Sequence, residues 1–414
     1  MSSALFLWHR SSINPTMDSM FSVTPAFLLL LTPLNVCILI TIPIDYCFLP
    51  LTKSGVSNLA LAVWGFHLAT KSLEWGITNG YWAGKYWNKP TSDSSPTPTP
   101  SAPGASTEAN SWTEIASWTT RQFFSYRGYQ YGWGIKLQHK VPTVFDLIQR
   151  LIVDNCVRAI SIAFIMTARD KGSPNQVLAI IGLPDFPLRS LLAEGLSTLS
   201  FGFLLICGVE ALFCRYGLIC HLVHWIGGFV QIPKLILDLC DPSRFQHAFN
   251  SPHTSTSLSW FWGKAWHQFF RRDFLMCGGV PASALAKKLG GGLKVQRICG
   301  LFGCFFISGV MHEFTAHAIA RKPHPFPHFY FKEFPAAFVY FLVQPIGIIL
   351  EPYIIPHIPR KLGGGWLWVL IFTLLTATPF SKQYAYNFRL IDDGYKPVDE
   401  WNVATVLLGS FQKR

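Results

Sequence analysis

One histidine in this chain lies where ionisable groups are rare. His312 lies within ISGVMHEFTAHAIA, an apolar run with helical spacing. Because a neutral imidazole tolerates apolar surroundings and accepts a proton near neutral pH, His312 is a candidate general base that activates an alcohol. The alternative is a structural histidine that hydrogen-bonds between helices. On such a helix Ser308 shares a face with His312, whereas Glu313 lies about 100° round, beside His317.

Glu313 has three possible roles: it could tune the site, orient His312 through neighbouring groups, or pair with His317 or Arg321. The run HEFTAH is similar to a zinc-protease motif, but that motif needs two histidines four residues apart so that both face one metal ion. His312 and His317 are five residues apart, which turns the second ring by roughly 140°. We therefore predict no metal site.

A second candidate segment is SLSWFWGKAWHQFFRRDF, residues 257–274, in which aromatic and polar residues are mixed on a helix-like stretch. Such a segment lies at a membrane interface and can present cations and rings to an anionic, nucleotide-like ligand. An interfacial anchor whose basic residues meet only lipid phosphates is an equal alternative. Its aromatic residues include Phe261, Trp262, Trp266, Phe269 and Phe270, and its polar ones are Lys264, His267, Gln268, Arg271 and Arg272.

The composition predicts the fold that must position these residues. Half of the 414 residues are hydrophobic and only 14% are charged, whereas soluble proteins have about a quarter charged residues. We therefore predict an all-α polytopic membrane protein. The net charge of +12 arises mostly from basic residues between apolar spans, as in cytosolic loops, so no nucleic-acid partner is expected. No CxxC pair occurs among the ten cysteines, which argues against a disulfide framework or a zinc ribbon.

Apolar segments predict about eight transmembrane helices. The first, Pro25 to Ile44, should be retained, because no clear small-residue cleavage site follows it. The basic loops Lys71–Lys140 and Arg244–Arg297 should both be cytosolic, which requires an even number of crossings between them, yet the segments give about three. The other predicted spans are 57–73, 144–168, 188–218, 219–237, 295–320, 334–355 and 363–380.

Charged residues inside the third span form a regular series. Asp146, Arg150, Asp154 and Arg158 follow at four-residue steps, so each acid can pair with the base one turn later. We interpret the series as a structural ion ladder, with a proton or substrate path as the alternative. Two further candidates for buried polar positions are Glu194 and Glu210.

Two motifs make the sequence resemble a known family. They are Ser257-Leu258 followed by Phe261-Trp262-Gly263-Lys264-Ala265-Trp266-His267-Gln268, and Ser308-Gly309-Val310-Met311-His312-Glu313. In this combination and order they resemble the membrane-bound O-acyltransferase superfamily, specifically its wax-synthase-like branch, which includes plant wax ester synthases and fungal terpenoid acetyltransferases. The resemblance implies a multi-helix fold with an intramembrane tunnel, reached by acyl-CoA from the cytosol and by a lipophilic alcohol from the bilayer.

The resemblance also implies roles for single residues. His312 matches the catalytic histidine and would take the proton of the acceptor hydroxyl, and His267 matches a position where relatives have Asn or His. His267, helped by Gln268, would donate to the oxyanion on the acyl carbonyl. Relatives usually have two arginines where this chain has Lys264 and Ala265. Glu313 and Ser308 would support the site, and the implied acyl-CoA-binding residues are Trp262, Lys264, Trp266, Arg271 and Arg272.

The chain is expected to divide into three parts. Residues 1–90 form N-terminal membrane helices. Residues 91–111 are rich in Pro, Ser and Thr and lack apolar residues for a core, which predicts a disordered linker. By the resemblance, residues 112–414 form a membrane-bound O-acyltransferase-like catalytic domain, with its motifs within 257–320.

We predict an acyl-CoA-dependent O-acyltransferase that acetylates a hydroxyl of a lipophilic, terpenoid-type secondary metabolite. Acetyl-CoA would be a co-substrate, and no cofactor is expected to be bound permanently. The alternatives are a long-chain wax ester or sterol ester synthase, a membrane transporter and a catalytically silent scaffold of the same fold. An integral, multi-pass protein of the endoplasmic reticulum is expected, whereas the acceptor and the oligomeric state stay open.

Overall fold

The computed structural model is helical in all regular elements of the residues that it describes. This agrees with the predicted all-α class. The predicted linker at 91–111 lies outside the described residues, as does Arg321, a possible partner of Glu313. The described residues are 25–46, 48, 55–78, 120, 127, 141–319 and 335–387.

The α-helices are numbered here in chain order. They are α1 Pro25–Asp45, α2 Gly55–Thr78, α3 Val144–Asp170, α4 Pro174–Ile180, α5 Arg189–Gly227, α6 Lys234–Leu239, α7 Leu258–Trp260, α8 Arg271–Phe274, α9 Val280–Lys288, α10 Leu293–Ile319, α11 Ala336–Ile354 and α12 Gly365–Lys382. Three π-helical segments directly follow α7, α8 and α12: Phe261–Ala265, Leu275–Gly279 and Gln383–Asn387. Short 3₁₀ turns lie at Pro242–Arg244, Pro252–Thr254, Ile355–His357 and Arg360–Leu362.

Four helices of the described ranges are long and apolar enough to cross a membrane. They are α3, α5, α10 and α11 with the turn that follows it, and α1 contains a shorter apolar stretch, Leu31–Asp45. The chain therefore has the character of a membrane protein. The predicted number of about eight spans is not confirmed.

The structure corrects the expectation of two spans at 188–218 and 219–237. One continuous helix, α5, covers 39 residues from Arg189 to Gly227. At 1.5 Å per residue it is about 58 Å long, whereas the hydrocarbon core of a bilayer is about 30 Å thick. No proline interrupts this stretch, and the helix ends just before Gly228, with Pro233 following.

The ion ladder of α3 is paired differently from the prediction. Asp146 forms a capping box with Thr143 at the start of the helix. Arg150 Nε instead lies 3.0 Å from Oδ2 of the buried Asp154, so the base precedes the acid. The charges at the start of α3 therefore stabilise the helix end and its packing.

Helix α10, which contains His312, lies at the centre of the helix packing. It packs against α2, α8, α9 and α11, while α3 runs along α5 and α12 contacts both α5 and α11. At the crossing with the second π-helical segment, a Cβ on Gly278 would lie only 2.1 Å from the backbone oxygen of Gly303. Glycine is required here because the two backbones touch.

A buried ion cluster, consisting of Lys71, Glu74, Arg272 and Asp273, joins α2 to α8. Lys71 Nζ lies 3.3 Å from Glu74 Oε2 and 3.6 Å from Asp273 Oδ1. Arg272 Nε donates to Glu74 Oε1 at 2.7 Å, and His67 Nδ1 lies 2.6 Å from Asp273 Oδ2. Because α8 forms the last residues of the segment 257–274, which is called the aromatic segment below, this cluster fixes one end of the candidate site.

Candidate active site

The side chain of His312 is held in one orientation by its own helix. Its Nδ1 lies 2.7 Å from the backbone oxygen of Ser308. A carbonyl oxygen can only accept, so Nδ1 carries the proton and Nε2 has a free lone pair. The ring stacks on Phe341, with centroids 4.0 Å apart and planes at 29°. This tautomer is the one that a general base needs.

The backbone of His312 is fixed by two hydroxyl groups. Thr315 Oγ1 donates to the His312 carbonyl at 2.9 Å, and Tyr384 Oη donates to the same oxygen at 2.7 Å. Tyr384 follows α12, so it ties the end of that helix to α10. The histidine is therefore positioned by contacts from three elements: α10, α11 and the segment after α12.

The aromatic segment is anchored at its first residues. Ser257 caps α7 by accepting from the backbone N–H of Trp260 at 3.0 Å. Glu351 of α11, which is buried, accepts from the backbone N–H groups of Leu258 and Ser259 at 2.8 Å each. The Trp262 indole, one turn further on, donates to Gln344 Oε1 at 3.0 Å. Helix α11 therefore sets where the segment enters the site.

His267 follows the first π-helical segment and stacks on Phe269, with centroids 4.9 Å apart. Burial lowers the pKa of His267 to about 3, with smaller effects of His312 and Arg127. The imidazole is therefore neutral and can donate from only one nitrogen. Its Nδ1 is buried and has no hydrogen-bond partner among the described residues.

A large, mainly apolar cavity brings the two histidines together. Its volume is about 1010 Å³, and α2, α5, α10, α11 and α12 contribute to its wall. His312, His267, Trp262 and Trp266 all line it. The two sequence motifs, which are 45 residues apart when counted from His267 to His312, therefore meet at one site. This cavity is called the apolar cavity below.

A second cavity of about 470 Å³ also has residues of the segment 257–274 in its lining. Three basic residues, Arg127, Arg150 and Lys264, and one carboxylate, Asp146, are among its described lining. Gln268 also lines it and donates through Nε2 to the backbone oxygens of Trp262 and Trp266 at 2.9 Å each. Phe249 and Trp266 line both cavities. We call this second space the polar cavity.

Four of the candidate site residues singled out from the sequence line neither cavity. Ser308 is buried, and its backbone oxygen accepts the hydrogen bond from His312 Nδ1. Arg271 is exposed and lines neither cavity. Arg272 is 9% exposed and belongs to the buried ion cluster. Glu313 accepts from the backbone N–H of Phe338 at 3.3 Å and lies 3.7 Å from His317. The pairing of Glu313 with His317 was one of its predicted alternatives.

Glu210 is fully buried, as the sequence predicted. It belongs to the one group of possible metal ligands found among the described residues. Donor atoms of Glu210, Cys214 and His247 lie within 4.8 Å of one another. However, Glu210 Oε1 and His247 Nδ1 are only 2.5 Å apart, whereas two ligands of one tetrahedral zinc ion lie about 3.4 Å apart. The distance fits a direct hydrogen bond. The second oxygen of Glu210 accepts from the backbone N–H of Phe249.

Four further residues contribute to the site although no sequence motif contains them: Tyr340, Phe341, Gln344 and Tyr384. Gln344 is fully buried, and Tyr340 is 7% exposed. Both lie in α11, an otherwise apolar helix in which Glu351 is the one charged residue. Polar side chains in such a helix are a signal of function that could have directed attention to it.

Comparison with known proteins gives a family match over the region that contains both sequence motifs. A family model described as "Membrane bound O-acyl transferase family" matches residues 245–334, which include His267 and His312. The resemblance to the membrane-bound O-acyltransferases is thereby confirmed. This family match covers both candidate histidines, His267 and His312, but less than half of the chain.

Individual relatives are fungal proteins named as acetyltransferases. Acetyltransferase sirH of Emericella nidulans is 36% identical over 77 residues, which cover 18% of this chain and 17% of that protein. Acetyltransferase aurG of Calcarisporium arbuscula is 23% identical over 189 residues, covering 43% and 42%. Acetyltransferase ple2 of Rhodocybe pseudopiperita is 25% identical over 159 residues, covering 36% and 38%. The chain thus spans less than half the length of each relative, and no solved structure matches it.

Proposed function

We propose that this protein is an acyl-CoA-dependent O-acyltransferase that acetylates a hydroxyl group of a lipophilic, terpenoid-type acceptor. The observation that carries the proposal is the orientation of His312. Its Nδ1–H is bound to the Ser308 carbonyl, and the ring lines the apolar cavity. The Nε2 lone pair is therefore the basic atom available to a substrate in that cavity.

The reaction begins with proton transfer to His312. An acceptor alcohol in the apolar cavity gives its proton to Nε2 as its oxygen attacks the thioester carbonyl. CoA leaves as the thiol after His312 returns the proton. Base catalysis of this kind contributes roughly 10²- to 10⁴-fold to the rate. His267 is neutral at physiological pH, so its donating nitrogen is suited to stabilise the developing oxyanion without introducing a charge.

The polar cavity is suited to the phosphate-bearing end of acyl-CoA. Arg127, Arg150 and Lys264 line it together with the carboxylate of Asp146, and Arg150 is paired with Asp154. A net positive charge therefore remains among these five residues, and positive charge attracts a polyanion.

Lys264 is exposed and lies over the Trp260 ring, with Nζ 4.7 Å from the ring centroid. Arg272, which is committed to the buried ion cluster, has no part in this proposal. The thioester would then reach His312 past Trp266, which lines both cavities.

The apolar cavity is suited to the acceptor. Ligand pockets of drug-sized molecules measure about 300–1,000 Å³, and this cavity of about 1010 Å³ has room for a polycyclic alcohol beside an acetyl thioester. The relatives are all named as acetyltransferases, which supports the choice of acetyl as the transferred group. We propose a multi-pass location in the endoplasmic reticulum, where cytosolic acetyl-CoA and membrane-dissolved alcohol meet.

Release of the CoA thiol by purified protein tests this function. The protein is supplied with acetyl-CoA and a panel of lipophilic alcohols that includes terpenoid alcohols. His312→Ala is expected to reduce the rate by roughly 10²- to 10⁴-fold. His317→Ala is the matched control, because His317 lies on the same helix, outside the lining of the apolar cavity, and its rate should equal that of the wild type.

Equal rates for His312→Ala and wild type, at matched amounts of folded protein, would refute the proposed chemistry. Palmitoyl-CoA in place of acetyl-CoA tests the alternative of a long-chain wax or sterol ester synthase, which should use the longer donor faster. Reconstituted liposomes test the transporter alternative, which predicts solute flux without release of the CoA thiol.

A further inference from the structure

Tyr340 is a buried residue whose hydroxyl group forms no hydrogen bond with the described residues. The residue is 7% exposed and lines the apolar cavity. Its ring stacks on Phe380, with centroids 5.2 Å apart and planes at 3°, and meets Phe341 edge-on at 4.9 Å. The ring is therefore fixed by packing, while its hydroxyl group is available to a ligand in the cavity.

A hydroxyl without a partner in a buried site lowers the stability of a protein. Phenylalanine would make the same ring contacts without that cost. Tyr386 differs in this respect, because its hydroxyl lies 2.8 Å from Ser197 Oγ. A polar group that costs stability and has no structural partner is characteristic of a ligand-binding position.

Tyr340 and His312 are neighbours on one wall of the cavity. Both rings contact Phe341, at 4.0 Å for His312 and 4.9 Å for Tyr340. Both also contact Phe380, at 6.2 Å and 5.2 Å respectively. The two rings therefore share two aromatic neighbours and line the same cavity.

Apart from His267, several donors around His312 are already committed to protein acceptors. The hydroxyls of Thr315 and Tyr384 both donate to the His312 carbonyl. The Trp262 indole donates to Gln344.

Three described hydroxyl groups in the lining of the apolar cavity lack such a bond, those of Ser255, Tyr340 and Thr373. Of these three residues, Tyr340 is the one whose ring shares its contacts with Phe341 and Phe380 with His312.

We propose that the Tyr340 hydroxyl donates a hydrogen bond to the thioester carbonyl oxygen as that oxygen becomes negative. The inference rests on the proposed acyltransferase function. His312 Nε2 takes the hydroxyl proton, the acceptor oxygen bonds to the carbonyl carbon, and the C=O electron pair moves to the oxygen held by Tyr340. When the C=O bond reforms, the C–S bond breaks and the sulfur takes the proton from His312. Tyr340 keeps its own proton throughout.

The test compares Tyr340→Phe with Tyr386→Phe in the full-length purified protein. Each change removes one hydroxyl and leaves a phenyl ring, but only Tyr340 lines the apolar cavity. Tyr340→Phe is expected to lower kcat by about 10²- to 10³-fold, the usual loss for one oxyanion donor, with the KM values for acetyl-CoA and acceptor nearly unchanged. Its Tm should equal or exceed that of the wild type. Tyr386→Phe should instead keep its kcat and lower its Tm.

Unchanged kcat for Tyr340→Phe would overturn the inference while leaving the acyltransferase function intact. A rise in the acceptor KM alone would also overturn it, because the hydroxyl would then bind the acceptor instead of the oxyanion. If the wild type releases no CoA thiol with any acceptor, the proposed function fails, and the inference fails with it.

Discussion

Replacement of Glu74 by glutamine should test whether the buried ion cluster is structural. Among the described residues the cluster has two cations, Lys71 and Arg272, and two anions, Glu74 and Asp273, all of them buried. Glutamine keeps the size of Glu74 but removes its charge. The buried ion pair of Glu74 with Arg272, which joins α2 to α8, would then be broken.

The expected loss is large because the charge is buried. Removing one partner of a buried ion pair typically lowers the free energy of unfolding by about 3–5 kcal/mol, a large part of the roughly 5–15 kcal/mol that holds a typical protein folded. Glu194→Gln is the matched control. Glu194 lies 2.9 Å from Lys382, but their side chains are 33% and 48% exposed, so its loss should cost no more than about 1 kcal/mol.

Denaturant unfolding in detergent, followed by tryptophan fluorescence, measures both variants. The double variant Glu74→Gln, Arg272→Met removes both partners of the ion pair and should recover part of the loss. CoA-thiol release per folded molecule should stay close to the wild-type value in Arg272→Met. The reasoning is refuted if Glu74→Gln is as stable as Glu194→Gln, or if Arg272→Met raises the KM for acyl-CoA without loss of stability.

Two further predictions concern backbone packing and pH. Gly278→Ala should lower the free energy of unfolding by about 1–3 kcal/mol or more, because its Cβ would meet the backbone of Gly303. Gly195→Ala in α5, where nothing lies within 4 Å, should raise it by up to about 1 kcal/mol, and denaturant unfolding that gives both changes the same sign would contradict this. Burial lowers the pKa of His267 from 6.5 to about 3. Between these two pH values the unfolded chain therefore binds a proton at His267 that the folded protein does not bind. The free energy of unfolding should accordingly fall as the pH falls below 6.5. Thermal unfolding of His267→Gln should decline less steeply over that range, and equal slopes would count against a buried, neutral His267.

Much of the helical architecture could be predicted from hydropathy alone. Span 295–320 corresponds to α10, and span 334–355 corresponds to α11, each within two residues at either end. The predicted boundary between two spans at residue 218 was wrong, because an apolar pattern does not reveal that a single helix is longer than the bilayer is thick. Only an interrupting proline or a left-handed glycine would have marked a break, and α5 contains neither.

The parts of the candidate site that lie within the two sequence motifs could be predicted. The motif residues His267, His312 and Trp262 all line the apolar cavity. Arg272 was assigned to acyl-CoA because a basic residue beside tryptophans resembles a phosphate contact. Its actual partner, Glu74, lies 198 residues away in the chain. Tyr340 was missed for the same reason, since only the packing of α11 on α10 brings it beside His312.

The aromatic wall formed by Phe249 and Trp266, whose rings meet edge-on at 5.1 Å, has a consequence for turnover. Under the proposed chemistry, the ester is less polar than the alcohol from which it was made, so it dissolves into lipid, while the thiol diffuses back into water. The proposal assigns the CoA end to the polar cavity and the acceptor to the apolar cavity, so accumulation of ester in the bilayer should not obstruct the departure of the thiol. Inhibition by ester should therefore compete with the alcohol and not with the CoA donor.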